Sequence, residues 1–200
     1  MVKRAILFIN GDLAQLPRIN FRKGDFLIGV DGGTRLCRRL GLKPDIIIGD
    51  FDSYSRSTKL AKKAYLKDQN FTDTEKSLLY CVKHGFKDIV LVGVLGRRLD
   101  HLLANIFLGT RYNLTMIEGR QTLYFVSSRM NLEGEAGDLV SLIPLSDCAG
   151  VTTFGLKWRL QGSTLKVGTS RGISNVLIGK SCRISLKKGR LLVIKTEPLG

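Results

Sequence analysis

The stretch PDIIIGDFDS (44–53) decides the fold class of the first half of the chain. Its three successive isoleucines are β-branched, and a short continuous apolar run is typical of a strand buried on both faces of a parallel sheet. After one glycine the chain presents Asp50, Asp52 and Ser53. Ligands bind at the carboxyl ends of the strands in an open parallel sheet, so these side chains lie where a site is expected.

Strand-like and helix-like segments alternate through the first 120 residues. Short apolar runs that end in glycine, asparagine or aspartate predict strands in AILFIN (5–10), FLIGV (26–30), DIIIG (45–49) and DIVLVGVLG (88–96). Apolar residues at helical spacing predict helices in RLCRRLG (35–41), RSTKLAKKAYLK (56–67), TDTEKSLLYCVKHG (72–85) and DHLLANIFLG (100–109). In the third helix, Thr72 or Asp73 can act as the N-cap, and Gly85 ends the helix. The pattern predicts an α/β domain over residues 1–120 with a mostly parallel sheet.

The period of the apolar residues changes after Gly119. Strands separated by turns are predicted in TLYFVSS (122–128), GDLVSLIPL (137–145), VTTFGLKWRL (151–160), TLKVGTS (164–170), SNVLIGKSCRISL (174–186) and RLLVIKTE (190–197). No convincing amphipathic helix interrupts them. Residues 121–200 are therefore expected to form an all-β domain, a small sandwich or barrel.

Carboxylates follow the predicted strands of the first domain. Asp31 and Gly32 follow the second strand, Asp50 and Asp52 the third, and Asp100 the last. Strand topology would bring these groups to one edge of the sheet, where they repel unless a hard divalent cation such as Mg²⁺ neutralises them. Basic side chains lie nearby in sequence, namely Arg98, two residues before Asp100, and Lys76, three after Asp73. Carboxylates that can bind a metal thus lie beside basic side chains that can bind phosphate oxygens. This combination indicates a Mg²⁺-dependent enzyme acting on a phosphorylated, nucleotide-like substrate.

Composition narrows the class of protein. The chain carries 32 Lys and Arg against 17 Asp and Glu, a net charge of +15, so a basic nucleic-acid-binding module is a second interpretation. Four widely spaced cysteines and two histidines predict neither a zinc site nor a disulfide framework. No run of 18 apolar residues, signal peptide, P-loop or GxGxxG pattern is present, and we expect a soluble cytoplasmic enzyme with no membrane partner.

Four motifs, DGG (31–33), PDIIIGDFDS (44–53), DQNFTDTEK (68–76) and GRRLDH (96–101), follow one another as they do in thiamine pyrophosphokinases. In the β domain, GLKWRL (155–160) and SRGISN (170–175) resemble that family's thiamine-binding segment. The resemblance implies an α/β nucleotide domain followed by a β-sandwich, in a homodimer that binds thiamine between subunits. It also implies an ATP-dependent diphosphotransferase that gives thiamine diphosphate and AMP.

The resemblance assigns roles by matching position. Mg²⁺ would be held by Asp50, Asp52, Asp73 and Asp100. The ATP phosphates would be bound by Asp31, Gly32, Asp50, Asp52, Ser53, Arg98 and His101, and catalysis would fall to Asp73, Lys76, Arg98 and Asp100. Thiamine would be bound by Gln69, Trp158, Ser174 and Asn175, with the indole stacking on a cationic heterocycle. Either Asp73 or Asp100 could accept the proton late in the reaction.

Two points stay open at this level. Arg97 stands where the family often has glycine, and it could tighten nucleotide binding or face solvent. A related diphosphokinase acting on another hydroxymethyl compound, such as a pterin, is the alternative within enzymes, and Trp158 with the Ser174–Asn175 pair favours thiamine.

Overall fold

The computed structural model describes residues 3–11, 16–49, 62–64, 70–96 and 98–198, with the backbone alone at 62–64. The chain divides into two compact units, Met1–Gly119 and Arg120–Gly200. Within the described ranges, no helix has the length and apolar character needed to cross a membrane.

The described part of the first unit contains a six-stranded parallel sheet. Its strands are β1 (Arg4–Phe8), β2 (Phe26–Val30), β3 (Ile46–Ile48), β4 (Lys62–Ala64), β5 (Asp88–Val92) and β6 (Leu114–Glu118), in the order β6-β5-β1-β2-β3-β4. Three helices accompany them: α1 (Thr34–Arg39), α2 (Asp73–Lys83) and α3 (Leu99–Arg111). β1 and β3 are fully buried, as their continuous apolar runs predicted. The α/β class is confirmed.

The strand order reverses beside β1. From β1 the chain moves outward through β2, β3 and β4, and it then returns to the other side of β1 with β5. Such a reversal opens a crevice outside the carboxyl ends of the two strands that flank it, here β1 and β5. The topology therefore fixes where a ligand site should lie.

Helix α2 begins and ends as its sequence predicted. The Thr72 hydroxyl accepts a hydrogen bond from the backbone N–H of Glu75 at 3.2 Å, which satisfies one of the free donors of the first turn. The chain then leaves the helix through Gly85, whose φ of 77° favours glycine.

Two predictions in the first unit are wrong, and one strand was missed. The helix expected over 56–67 contains a strand, β4, because the open edge of β3 offers backbone hydrogen bonds that outweigh local helical spacing. The strand expected over 88–96 ends at Val92, since Gly93 turns the chain with a φ of 82°. Strand β6 was not predicted, although Leu114, Met116 and Glu118 alternate as buried residues along it.

The described part of the second unit consists of two four-stranded antiparallel sheets. Their strands are β7 (Gln121–Val126), β8 (Arg129–Glu133), β9 (Leu139–Pro144), β10 (Cys148–Phe154), β11 (Ser163–Leu165), β12 (Asn175–Val176), β13 (Ser181–Ser185) and β14 (Leu191–Thr196). One sheet has the order β12-β9-β14-β7, and the other has the order β11-β10-β13-β8. One core, including Val140 and Leu142 of the first sheet and Val151 and Ile184 of the second, fills the space between them. The all-β class is confirmed as a sandwich.

The sequence placed some strand bounds of this unit incorrectly. Strand β8 was missed, because its burial alternates too weakly to stand out. The strand expected over 151–160 ends at Phe154, where Gly155 has a φ of 81° and starts the segment that carries Trp158. The long strand expected over 174–186 is divided into β12 and β13.

Candidate functional site

A cavity of about 710 Å³ lies where the strand order of the first unit reverses. Two of its walls are formed by residues 9–11, which follow β1, and by residues 93, 94 and 96, which follow β5. The carboxylate of Glu118 accepts a hydrogen bond from the backbone N–H of Leu95 at 2.9 Å, which fixes the second of these segments. Of the predicted site residues, the cavity is lined by Asp31, Gly32, Asp73, Arg98 and His101.

The DGG motif packs against the segment that follows β1. A Cβ atom added to Gly33 would lie 1.9 Å from the carbonyl oxygen of Phe8, and one added to Gly32 would lie 2.8 Å from Cγ of Asn10. Both glycines are buried, and at Gly33 the close approach of two backbones excludes larger residues, whereas Gly32 packs against the side chain of Asn10. Asp31 itself has a φ of 43°, an uncommon value for a residue other than glycine, and such conformations cluster at binding sites.

Asp73 and Lys76 form an ion pair on the first turn of α2. The Nζ atom of Lys76 lies 3.1 Å from Oδ1 of Asp73, and the lysine side chain is largely buried. Asp73 lines the cavity, whereas Lys76 lies behind it. The helix therefore presents a carboxylate to the cavity with a buried ammonium that offsets its charge.

Arg98 and Asp100 form the second ion pair of the site, at the start of α3. The Nε atom of Arg98 donates to Oδ1 of Asp100 at 3.1 Å, and this hydrogen bond lowers the pKa of the carboxyl to about 2. Both side chains are exposed, and Arg98 lines the cavity while Asp100 does not. Arg98, the cation predicted to bind phosphates, therefore lies at the cavity, and Asp100, which lies outside the cavity, holds it by a hydrogen bond.

Four of the predicted site residues, Asp50, Asp52, Ser53 and Gln69, lie outside the described residues, and so does Arg97. Within the described ranges, no three His, Cys, Asp or Glu side chains are grouped closely enough to hold a metal ion. Two of the four expected magnesium ligands fall outside those ranges, and the metal assignment therefore stays a prediction.

Among the side chains that line this cavity, sequence reasoning missed Arg35 and Asn105. Arg35 lies in α1, one of several arginines in RLCRRLG, and only the fold shows which of them reaches the site. Asn105 lies in α3 and is 5% exposed. Its signal in the sequence was a single amide inside the apolar stretch LLANIF (102–107), one helical turn after His101.

The second unit holds Trp158 in a defined conformation. The Asn175 side chain is buried, and its Oδ1 atom accepts from the backbone N–H of Trp158 at 3.0 Å while its Nδ2 atom donates to the Trp158 carbonyl at 2.6 Å. The Trp158 side chain is 55% exposed, and the ammonium of Lys157 lies 5.1 Å from the centroid of its ring. The indole face thus already accepts a cation.

Ser174 has a φ of 55°, and its backbone N–H donates to the hydroxyl of Ser141 at 3.0 Å. This contact fixes the chain just before β12, in which Asn175 is the first residue. The three predicted thiamine-binding residues described here therefore differ in character. Trp158 has an exposed indole, and the side chain of Asn175 is hydrogen-bonded to backbone groups. Ser174 shapes the turn that precedes Asn175.

Two protein-family models match the chain. The model for the catalytic domain of thiamin pyrophosphokinase matches residues 19–118, and the model for the vitamin B1 binding domain of the same enzyme matches residues 128–191. Among curated relatives, thiamin pyrophosphokinase 1 of Caenorhabditis elegans is 27% identical, covering 88% of this chain and 81% of that protein. Thiamine pyrophosphokinase of Bacillus subtilis is 28% identical, covering 84% of this chain and 86% of that protein.

Solved structures resemble the chain over almost its whole length. The crystal structure of thiamine pyrophosphokinase from Bacillus subtilis matches with a TM-score of 0.89 and 25% identity, covering 98% of this chain and all of that one. The crystal structure of thiamin pyrophosphokinase from Geobacillus thermodenitrificans matches with a TM-score of 0.85 and 25% identity, covering 99% of this chain and 98% of that one.

Proposed function

The chain belongs to the thiamine pyrophosphokinase family, and on that premise we propose how its residues carry out the diphosphate transfer of that family. ATP gives its β- and γ-phosphates together to the hydroxyl of thiamine, and AMP leaves. The observation that most supports this assignment is the cavity at the strand reversal, which collects Asp31, Asp73 and Arg98 from three different motifs. A site that offers both carboxylates and cations suits a reaction whose catalysis is mainly positioning and charge neutralisation.

The triphosphate of ATP is bound in the cavity of the first unit. Arg98 lines it as a guanidinium that Asp100 orients, and Arg35 adds a second guanidinium for which the described residues offer no ion pair. His101, in the first turn of α3, is placed to donate to a phosphate oxygen. Gly32 lets the backbone approach closely, and Ser53 is proposed to complete the phosphate contacts.

Magnesium is the expected cofactor, and the donor chemistry of the cavity suits it. The carboxylates of Asp31 and Asp73 and the hydroxyls of Thr72 and Thr74 line the cavity, and hard oxygen donors are those that Mg²⁺ prefers. The resemblance assigns the ion to Asp50, Asp52, Asp73 and Asp100; of the two described residues, Asp73 lines the cavity and Asp100 lies outside it. When bound, it supplies neutralisation of the phosphate charge.

Asp73 is the better candidate for the proton acceptor. It lines the cavity, whereas Asp100 does not, and the pKa of about 2 that Arg98 imposes makes Asp100 a weak base. The thiamine oxygen bonds to the β-phosphorus while the bond from that phosphorus to the oxygen bridging the α-phosphate breaks, so AMP departs with the bridging oxygen. The hydroxyl proton passes to a carboxylate oxygen of Asp73. The ammonium of Lys76, 3.1 Å from Oδ1 of Asp73, offsets part of the charge of this carboxylate.

Thiamine is bound by the second unit through the indole of Trp158. Asn175 acts by holding the Trp158 backbone, and Ser174 by shaping the preceding turn. We also expect a homodimer, in keeping with the exposed apolar side chains of Trp158, Ile173 and Ile178, each about half exposed or more. Gln69 is proposed to approach the incoming alcohol.

One assay tests this function and its alternatives. The protein is incubated with ATP and Mg²⁺, with either thiamine or a hydroxymethylpterin, and AMP release is followed. We expect AMP to be released with thiamine and not with the pterin. A folded Asp73→Asn variant should release no AMP with thiamine, because it lacks the proton acceptor. AMP formed with the pterin but not with thiamine would reverse the substrate assignment. Nucleic-acid binding that strengthens on Asp50→Asn and Asp52→Asn, without turnover in the wild type, would favour the binding module instead.

A further inference from the structure

Asn105 presents an amide to the cavity without using it to hold the fold. The side chain is 5% exposed, and it lines the cavity of the first unit. Among the residues that the structure describes, none forms a hydrogen bond with this amide. A buried amide normally makes its hydrogen bonds within the protein, and one that opens onto a cavity is available to a ligand.

The position of Asn105 along α3 separates it from the charged end of the cavity. Arg98 caps this helix, and Asn105 follows seven residues later, about 10 Å along the axis at 1.5 Å per residue. His101 lies between them, one turn before Asn105 on the same face. A nucleoside triphosphate whose phosphates are bound at Arg98 is long enough for its organic part to reach Asn105.

Part of the uncharged lining of the cavity is aliphatic. Ile9, Leu36 and Val94 line it while remaining almost fully buried from solvent. Apolar walls beside the buried amide of Asn105, which offers both a donor and an acceptor, suit a flat heterocycle with polar edges, and they do not suit a phosphate.

We propose that Asn105 recognises the base of the nucleotide donor. Its Oδ1 atom accepts from the exocyclic amino group of adenine, and its Nδ2 atom donates to ring nitrogen N1 on the Watson–Crick edge, because an asparagine amide offers both an acceptor and a donor. The inference rests on the proposed function, since it takes the bound phosphates to be those of a nucleoside triphosphate. It assigns a base-recognition residue that none of the sequence motifs indicated.

The test measures binding without turnover. Calorimetry with Mg²⁺ and no thiamine gives the affinities of ATP, GTP and inorganic tripolyphosphate for the wild type, Asn105→Ala and Asn105→Asp. Asn131→Asp is the matched control, because Asn131 is exposed on β8 in the other unit. Melting temperatures show whether each variant is folded.

Asn105→Ala is expected to lose affinity for ATP by about tenfold or more and to bind tripolyphosphate as the wild type does, because tripolyphosphate does not reach Asn105. Asn105→Asp places two acceptors at this point, which match the N1–H and exocyclic amino groups of guanine and repel N1 of adenine. Its ratio of ATP to GTP affinity should therefore fall by about tenfold or more relative to the wild type. Asn131→Asp should change none of these values.

Several results would overturn the inference. Equal losses of ATP and tripolyphosphate affinity in Asn105→Ala would place Asn105 at the phosphates or in the fold. An unchanged ATP to GTP ratio in Asn105→Asp would mean that Asn105 contacts the ribose and not the base. If the buried carboxylate prevents folding, Asn105→Ala decides by the same comparison of ATP with tripolyphosphate. A wild type that binds neither ligand would instead refute the proposed function.

Discussion

The side chain of Asn175 holds the backbone of Trp158 at both of its polar groups. Oδ1 of Asn175 accepts from Trp158 N at 3.0 Å, and Nδ2 donates to Trp158 O at 2.6 Å. Oδ1 also accepts from the backbone N–H of Val176 at 2.9 Å, so the amide is engaged on both sides. A residue that was expected to bind substrate therefore acts in this structure by positioning the aromatic side chain that is proposed to do so.

Asn175→Asp tests this positioning role. The variant loses the donor to the Trp158 carbonyl and places a carboxylate against it, which should cost about 1–3 kcal/mol of unfolding free energy. We expect the dissociation constant of thiamine to rise about tenfold or more while ATP binding is unchanged. Trp158 is the only tryptophan, so its fluorescence reports thiamine binding directly. Asn131→Asp, an exposed amide on β8, serves as control, and unchanged thiamine binding in Asn175→Asp would contradict the role.

Lys157 competes with a cationic ligand for the indole of Trp158. Its ammonium lies 5.1 Å from the ring centroid, and an exposed cation–π contact is worth roughly 0.5–1 kcal/mol. Lys157→Gln should therefore lower the dissociation constant of thiamine about two- to fivefold, measured by tryptophan fluorescence. Lys166→Gln removes an exposed charge elsewhere in the same unit and should have a smaller effect. Weaker thiamine binding in Lys157→Gln would show that Lys157 helps to bind the ligand.

Arg35 and Arg38 form a matched pair for testing the phosphate site. Both are exposed arginines of α1, but Arg35 lines the cavity and Arg38 does not. Arg35→Gln should weaken ATP and tripolyphosphate about three- to tenfold, the loss expected for one exposed charge pair of roughly 1 kcal/mol. Arg38→Gln should change neither. Equal effects of the two variants on calorimetric affinity would mean that only net charge matters.

Gly33 and Gly179 provide a test of the close backbone approach at the site. A Cβ atom on Gly33 would meet the Phe8 carbonyl oxygen at 1.9 Å, whereas one on Gly179 would meet nothing within 4 Å. Gly33→Ala should lower the free energy of unfolding by about 3 kcal/mol or more, because backbone must move. Gly179→Ala should stay within about 0.5 kcal/mol of the wild type. Urea denaturation measures both, and a stable Gly33→Ala would show that the DGG turn is not tightly packed.

The pKa of Asp100 depends on Arg98. The hydrogen bond from Arg98 lowers this pKa from 3.8 to about 2. A group whose pKa is lower in the folded than in the unfolded state stabilises the fold above about pH 4, and the contribution is lost as the pH falls towards 2. Arg98→Gln should return the pKa of Asp100 towards 3.8, as measured by carbon-13 NMR of the carboxyl group. Arg111→Gln, on the same helix but paired with Glu75, should leave it near 2. A pKa that stays near 2 in Arg98→Gln would assign the shift to another cause.

Part of the fold followed directly from local pattern. The continuous apolar runs of β1, β2 and β3 and the Thr72 cap of α2 lie where the sequence placed them, because burial on both faces and N-terminal capping leave local signals. Strand β4 did not follow, since a three-residue strand exists only through its pairing with β3. Of the carboxylates predicted from strand ends, Asp31 lines the cavity and Asp100 does not. Asp73 came from the resemblance, and the positions of Arg35 and Asn105 depend on helix orientation.

By itself, the sequence determined the two fold classes, the family and the motifs that carry the proposed chemistry, because apolar periodicity and motif spacing are local properties of the chain. Tertiary structure alone decided which of several arginines reaches the cavity and that Asn175 holds a backbone instead of facing outward. It also decided that the amide of Asn105 opens onto the cavity. Contacts of this kind join residues distant in sequence, and their geometry is set only when helices and strands pack.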